Sequence, residues 1–242
     1  MILYLHKFAN PSIFLKAIKP MLRAFLILAV VFISLGLFFA LFYSPPDYLQ
    51  SEAVRIMYVH VPSAWLSLLS YSSIFLLSIF YLIWKFPLFL IIAREGLLMG
   101  FSFTLIAMVT GALWGKPTWG TYWVWDARLT SFFILLFIFL GLILLSKTMR
   151  DGTKSDQSFA YLALLGGINL PIIKFSVDWW NTLHQPASVI RVGGPTISIE
   201  MLIPLIAMFF GLFFLYIFLL LLNVISNIEE KKIIIKKQTG NF

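Results

Sequence analysis

Cysteine is absent from the chain. Disulfides, thiolate metal sites and thiol redox chemistry are therefore excluded. Charge is scarce: 12% of residues are Asp, Glu, Lys or Arg, against about 25% in water-soluble domains. Acidic residues are nearly missing from the long apolar runs, which argues against a proton relay through a membrane interior. Glu200, near the start of the last run, reads as interfacial. No Gly-rich phosphate loop ending in Lys-Ser/Thr occurs, so an ATP site of that kind is excluded. The chain also lacks a Gly-x-Ser-x-Gly elbow and a His-Glu-x-x-His helix. The N-terminal stretch has no compact apolar core followed by a small-residue cleavage site, so no removable signal peptide is expected.

What the chain does have is apolar surface. Of its 242 residues, 61% are hydrophobic, and the mean hydropathy is +0.95. This composition specifies an integral membrane protein. A spanning helix needs about 20 mainly apolar residues, and six runs qualify: 22–43, 58–84, 96–113, 129–146, 159–177 and 197–223. The expected fold is an all-α membrane protein of six transmembrane helices, with 1–242 forming a single polytopic domain and no room for a separate soluble one. The net charge of +8 does not point to nucleic acid, because the cations lie in short clusters between apolar runs. Thirteen of the eighteen Lys and Arg fall in the two terminal segments and alternate loops, and five fall on the opposite side. By the positive-inside rule both termini are cytoplasmic.

Three loops then lie on the outer side, and the unusual residues are concentrated there. The second outer loop, 114–126, holds four of the eight Trp: Trp114, Trp119, Trp123 and Trp125, with Gly115 and Gly120 among them and Asp126 at its end. Trp and Tyr form belts at membrane interfaces, normally one or two per helix end; this segment is denser. A short helix over 119–126 would put Trp119 and Trp123 on one face, and the glycines would admit backbone or ligand at close range. His60 and His184 flank the segment from the first and third outer loops. Imidazole is a common ligand of haem iron, although a histidine at a helix end also commonly bonds only to backbone. A flat aromatic platform beside two imidazoles suits a porphyrin. Arg55 and Arg128 are the nearby candidates for its propionates, and snorkelling at a helix end is their ordinary alternative; Lys116 is a third cation on that side. Asp126 is expected to orient a Trp N–H or to pair with Arg128. In the third loop a helix would put Trp180 and His184 on one face, with Asp178 as a possible partner that fixes an imidazole tautomer. His6 is given no role.

The run WGKPTWGTYWVWDARLT contains the WGxxWxWD pattern, and VHVPSAW and WWNTLHQPASV surround His60 and His184. On these residues the chain resembles the haem-handling protein family (WWD motif), in its cytochrome c maturation branch, over essentially its whole length. The resemblance implies haem b bound at the periplasmic face of a bacterial inner membrane, with His60 and His184 as axial ligands and 114–126 as platform. It further implies delivery to a periplasmic haem chaperone (maturation protein E), beside an ABC transporter (maturation proteins A and B) and a small single-span subunit (maturation protein D). The expected role is haem holding and transfer rather than catalysis. Three other readings remain open. One is a haem lyase acting directly on apocytochrome. Another is an export pore, for which the Phe-, Leu- and Ile-rich spans show no polar path. The last is a scaffold whose Trp segment is only an interfacial belt.

Overall fold

The computed structural model describes residues 10–149, 152–184 and 187–238. His6, Lys7, Arg150, Gln185 and Pro186 lie outside the described residues. Among the described residues six helical segments are long and apolar enough to cross a membrane, in agreement with the six expected runs. Among the described residues there is no strand beyond one isolated bridge, Asp47 to Ser51.

A short helix not expected from the sequence, α1 (Pro11–Ile18), is capped by the Asn10 side chain. Helix α2 (Met21–Phe38) continues through a π-turn to Tyr43. A 3-10 turn (Glu52–Ile56) leads into α3 (Met57–Trp84), followed by α4 (Pro87–Trp119) and α5 (Ala127–Thr148). The fifth span is two pieces, α6 (Thr153–Gly167) and α7 (Asn169–Trp179). The expected unbroken run over 159–177 is interrupted at Ile168 because Pro171 has no N–H to donate back to Gly167. Helix α8 (Ile199–Gln238) closes the chain.

Apolar side chains gain little from meeting each other in lipid, so helix contacts rest on close approach and buried hydrogen bonds. Helix α3 carries the stripe Ser63, Ser67, Ser70 and Ser78, all buried, and packs along α4. Ser67 and Thr104 hydroxyls bond across that seam at 2.6 Å, and Ser70 donates to the Gly96 carbonyl at 3.3 Å. At the centre the Tyr71 ring meets Phe139 edge-on at 5.2 Å, and its hydroxyl donates to the Ala163 carbonyl at 3.1 Å. Gly100 lets Phe139 and Ser70 come this close, for a Cβ there would overlap both. Helix α2 packs along α8, where Gly36 faces Met208 and Gly211 faces Ile33.

Ion pairs lie toward one end, where Lys19 pairs with Glu229, Lys232 donates to Ser12 at 3.0 Å, and Arg94 pairs with Asp156 at 2.9 Å. The start of α3, the end of α4, the start of α5 and the end of α7 meet at the other end, which contains His60, the Trp-rich segment and His184.

Over-filling a packed seam costs about 1–3 kcal/mol. Gly100→Leu is therefore expected to lower the melting temperature in detergent by several degrees. Gly141→Ala, where nothing lies within 4 Å of the added carbon, should leave it unchanged or slightly raised. Equal melting of Gly100→Leu and the parent would count against the tight α3–α4–α5 centre.

Candidate functional site

Helix α4 extends one and a half turns beyond the expected span end at 113, so Trp114, Gly115 and Trp119 are helical rather than in a loop. It stops at Gly120, whose φ of 77° is left-handed and whose N–H bonds the Lys116 carbonyl at 3.0 Å. The anticipated short helix over 119–126 does not form, because this left-handed cap turns the chain out of helical geometry. Residues 121–126 cross over irregularly to α5, with Thr121 bonded to the Trp123 backbone. Trp119 and Trp123 therefore share no helix face. Asp126 caps α5, accepting from the Leu129 N–H at 2.7 Å.

His60 sits in the first turns of α3, two residues before Pro62. Its Nδ1 lies 2.9 Å from the Ala107 carbonyl and 3.2 Å from the Thr110 hydroxyl, both on α4. A backbone carbonyl only accepts, so Nδ1 carries the proton and Nε2 keeps its lone pair. The ring rests against Gly111, where a Cβ would come within 2.8 Å of the imidazole Cε1. On another side stands Trp114, edge-on at 5.6 Å. The Trp114 indole N–H donates to the Gln50 side chain at 2.7 Å.

His184 is built the same way from different parts. Its Nδ1 lies 3.1 Å from Asp126 Oδ2 and 3.3 Å from the Thr182 hydroxyl, and Thr182 also accepts from the His184 backbone N–H at 2.9 Å. The carboxylate again commits Nδ1 as donor and leaves Nε2 with its lone pair. Trp119 stands edge-on to this ring at 4.8 Å. The structure thus brings His60 beside Trp114, and His184 beside Trp119 and Asp126, with both Trp residues on α4.

The remaining expected residues divide. Trp123 and Trp125 pack edge-on at 5.4 Å and both contact Phe133. Trp125 is 73% exposed, whereas the Trp123 indole N–H is buried with no hydrogen-bond partner among the described residues. Such a donor suits a carboxylate or another acceptor brought by a ligand. Gly115 lets the Trp119 ring and the Thr121 carbonyl approach; a Cβ would meet them at 3.1 and 3.2 Å. Asp126 serves His184 rather than pairing with Arg128, whose Nε donates instead to Ser176 at 3.2 Å. Arg55 is engaged by Glu52 and the Ala40 carbonyl. Asp178 is not the partner of His184, and Trp180 does not share a helix face with it, because α7 ends at Trp179. Sequence reasoning missed Gln50, Ala107, Thr110, Gly111 and Thr182. Only Thr182 left a local signal, a hydroxyl two residues before a histidine.

Burial pushes the His184 pKa down, and although the bond and charge of Asp126 oppose this, the value stays below the ordinary 6.5. Burial raises that of Asp126, but the Leu129 N–H, Thr182 and His184 outweigh it and hold the carboxyl below 3.8.

The sequence profile described as "Heme exporter protein C" matches residues 4–239. A protein of that name from Bradyrhizobium diazoefficiens is 43% identical over 225 residues, covering 93% of this chain and 85% of the relative. Another, from Haemophilus influenzae, is 40% identical over 220 residues, 91% and 89% of the two chains. A cytochrome c biosynthesis ccmC-like mitochondrial protein of Arabidopsis thaliana is 44% identical over 199 residues, 82% of this chain and 73% of the relative.

Both shifts imply loss of stability in acid. The unfolded chain takes up a proton at His184 near pH 6.5 while the folded chain resists, so stability falls as pH drops below that value. The contribution of Asp126 is complete above its unfolded pKa of about 3.8 and is lost as pH falls through its lower folded value. Melting of the haem-free protein is expected to decline in two stages on acidification. His184→Gln should reduce the first stage; an unaltered profile in that variant would contradict the assignment.

Proposed function

The chain belongs to the heme exporter protein C family, and from that premise we propose that its Trp-lined end holds haem b through His60 and His184 and hands it to a periplasmic haem chaperone during cytochrome c maturation. The observation that carries the reading is the matched preparation of the two histidines. Each has Nδ1 committed to an oxygen, Nε2 prepared as a ligand, and a Trp of α4 edge-on to its ring.

The cargo offers an iron with two axial positions, a flat apolar ring and two carboxylates. Every requirement has a matching group. Asp126 makes the His184 imidazole a stronger donor, as a carboxylate partner does for a metal-bound histidine. Ala107 does the same more weakly for His60. Trp114, Trp119 and Trp123 supply apolar faces and edges. The buried Trp123 N–H offers a donor to a propionate. Arg128, anchored by Ser176, and Arg55, which keeps Nη2 after serving Glu52 and Ala40, are assigned to the propionates. The exposed Trp125 leaves an aromatic face toward a receiving protein.

The concentration of Lys and Arg at the opposite end supports placing both termini in the cytoplasm and the site on the periplasmic side of a bacterial inner membrane. Energy for the cycle would come from partners, an ABC transporter (maturation proteins A and B) with the single-span maturation protein D, since no phosphate loop is present in the sequence. The relatives' names, haem export and cytochrome c biosynthesis, support a haem-handling role.

The test is the visible absorption spectrum and haem content of purified protein. His60→Gly and His184→Gly should each lose the bound-haem spectrum, and added imidazole should restore it. Unchanged spectra in both variants would overturn the ligand assignment. Asp126→Asn keeps the helix cap but offers an amide N–H or a weaker acceptor to His184. It should weaken haem binding about 10- to 100-fold, with the haem-free protein still folded and its melting modestly lowered. Full haem affinity in that variant would remove Asp126 from the site.

A further inference from the structure

We infer that Gln50 is a positioning residue for the His60 ligand, acting through the Trp114 indole; the inference rests on the haem-holding reading of His60. Gln50 lies outside both the Trp-rich motif and the histidine segments, in the first outer loop. It is placed by a tightly closed turn. Asp47 Oδ1 accepts from the Leu49 and Gln50 N–H groups at 2.9 and 2.8 Å, and the Asp47 and Ser51 backbones bond reciprocally at 3.2 and 2.9 Å. Ser51 completes the turn at a φ of 50°, a left-handed value that such turns tolerate at some cost. Pro45 and Pro46 stiffen the approach. The turn fixes the Gln50 backbone, and its side chain reaches α4.

The bond from Trp114 to Gln50 is directional. An indole N–H only donates, so the atom facing it at 2.7 Å is the amide oxygen. The tether fixes the rotation of the Trp114 ring, and that ring forms one wall of a slot. The Ala107 carbonyl is the base of the slot, the Gly111 backbone another wall, and His60 is the occupant. Removing the tether leaves the Nδ1 bond intact, so the tautomer is preserved. What changes is the freedom of the imidazole to swing about that bond, and with it the time for which Nε2 stays on the iron. Loss of Gln50 should therefore appear as faster haem release rather than as a change of ligand identity. A single neutral hydrogen bond of ordinary strength corresponds to a change of about 2- to 10-fold in rate.

The experiment uses the full chain in detergent and reads two quantities. The first is the Trp114 indole ¹⁵N–H resonance of haem-free protein, identified by its absence in Trp114→Phe. The second is the rate of haem loss to a high-affinity protein scavenger. Gln50→Leu removes the acceptor and is expected to move the resonance upfield and to speed haem loss about 2- to 10-fold. Gln50→Glu keeps an acceptor oxygen and should return both quantities toward the parent. In the Trp114→Phe background, which deletes the donor but keeps a ring, Gln50→Leu should add nothing. Tyr48→Ala, an exposed neighbour in the same turn, should leave both quantities unchanged and so separate positioning from general loosening of the turn. An unmoved resonance in Gln50→Leu, or a moved resonance with an unchanged rate of haem loss, would overturn the inference. His60→Gly measured in parallel separates this failure from failure of the underlying reading. If His60→Gly also loses haem at the parental rate, the ligand assignment falls. If only Gln50→Leu does so, the positioning role falls alone. Should Gln50→Leu not fold, the effect of Trp114→Phe on the rate reads the same coupling, and parental kinetics there would overturn it.

Discussion

A histidine is a dependable metal ligand only when one of its ring nitrogens is committed elsewhere, because that commitment fixes both the tautomer and the ring plane. At the end of the molecule that carries the Trp-rich segment, two histidines each have Nδ1 committed to an oxygen. For His60 the acceptor is a backbone carbonyl of α4, and for His184 it is the carboxylate that caps α5. Neither acceptor was free to be placed at will. The Ala107 carbonyl lies beside His60 only because α3 and α4 pack closely along the serine stripe, and Asp126 reaches His184 only because α4 stops at Gly120 and the chain returns through 121–126.

This dependence explains why the fold tolerates so many small residues at helix contacts. In lipid, Leu against Leu gains little over Leu against an acyl chain, so helices are held by short approach distances and by hydrogen bonds that have no water to compete with them. Ser67 with Thr104 and Tyr71 with Ala163 set the register of α3 against α4 and α6. A shift of one residue along α3 would carry His60 off the Ala107 carbonyl and off the gap left by Gly111. The centre of the bundle thereby helps to set the surroundings of His60.

The sequence was most legible where the signal is compositional or local. Six spans follow from runs of Leu, Ile and Phe. The residues of the candidate site, His60, His184 and the Trp-Asp motif, are distinctive by kind. What could not be read was who meets whom. The Ala107 carbonyl and Gly111 are indistinguishable from other positions of an apolar helix, and Gln50 is one polar residue in a loop whose partner lies 64 positions away. Asp178 was the nearer carboxylate to His184 in sequence, yet Asp126 is the one that bonds it, since α7 ends at Trp179 and the chain on to His184 leaves helical register with Asp178. Gly120 was legible as special, but its use differs from the expected one: it ends α4 instead of admitting a ligand into a helix over 119–126. Thr182 carried a readable pattern, a hydroxyl able to close a turn onto the second residue after it.

The two histidines are alike in design but unequal in setting, and on the haem-holding reading the inequality bears on transfer. His60 is held on a helix within a packed seam, with a neutral carbonyl behind it. His184 stands on a segment without helix, between α7 and α8, tied by Thr182 and Asp126 and farther on by the Thr196 to Ser188 bond. Segments with few packed contacts open at lower free-energy cost than helices in a core. If His184 holds iron, the carboxylate behind it would strengthen that bond and offset the looser backbone, leaving a tight site with one ligand easier to withdraw. A carrier that must release its cargo to another protein needs this combination. If both ligands were as rigidly seated as His60, release would require opening the α3–α4 seam itself, on which the stability of the whole bundle depends.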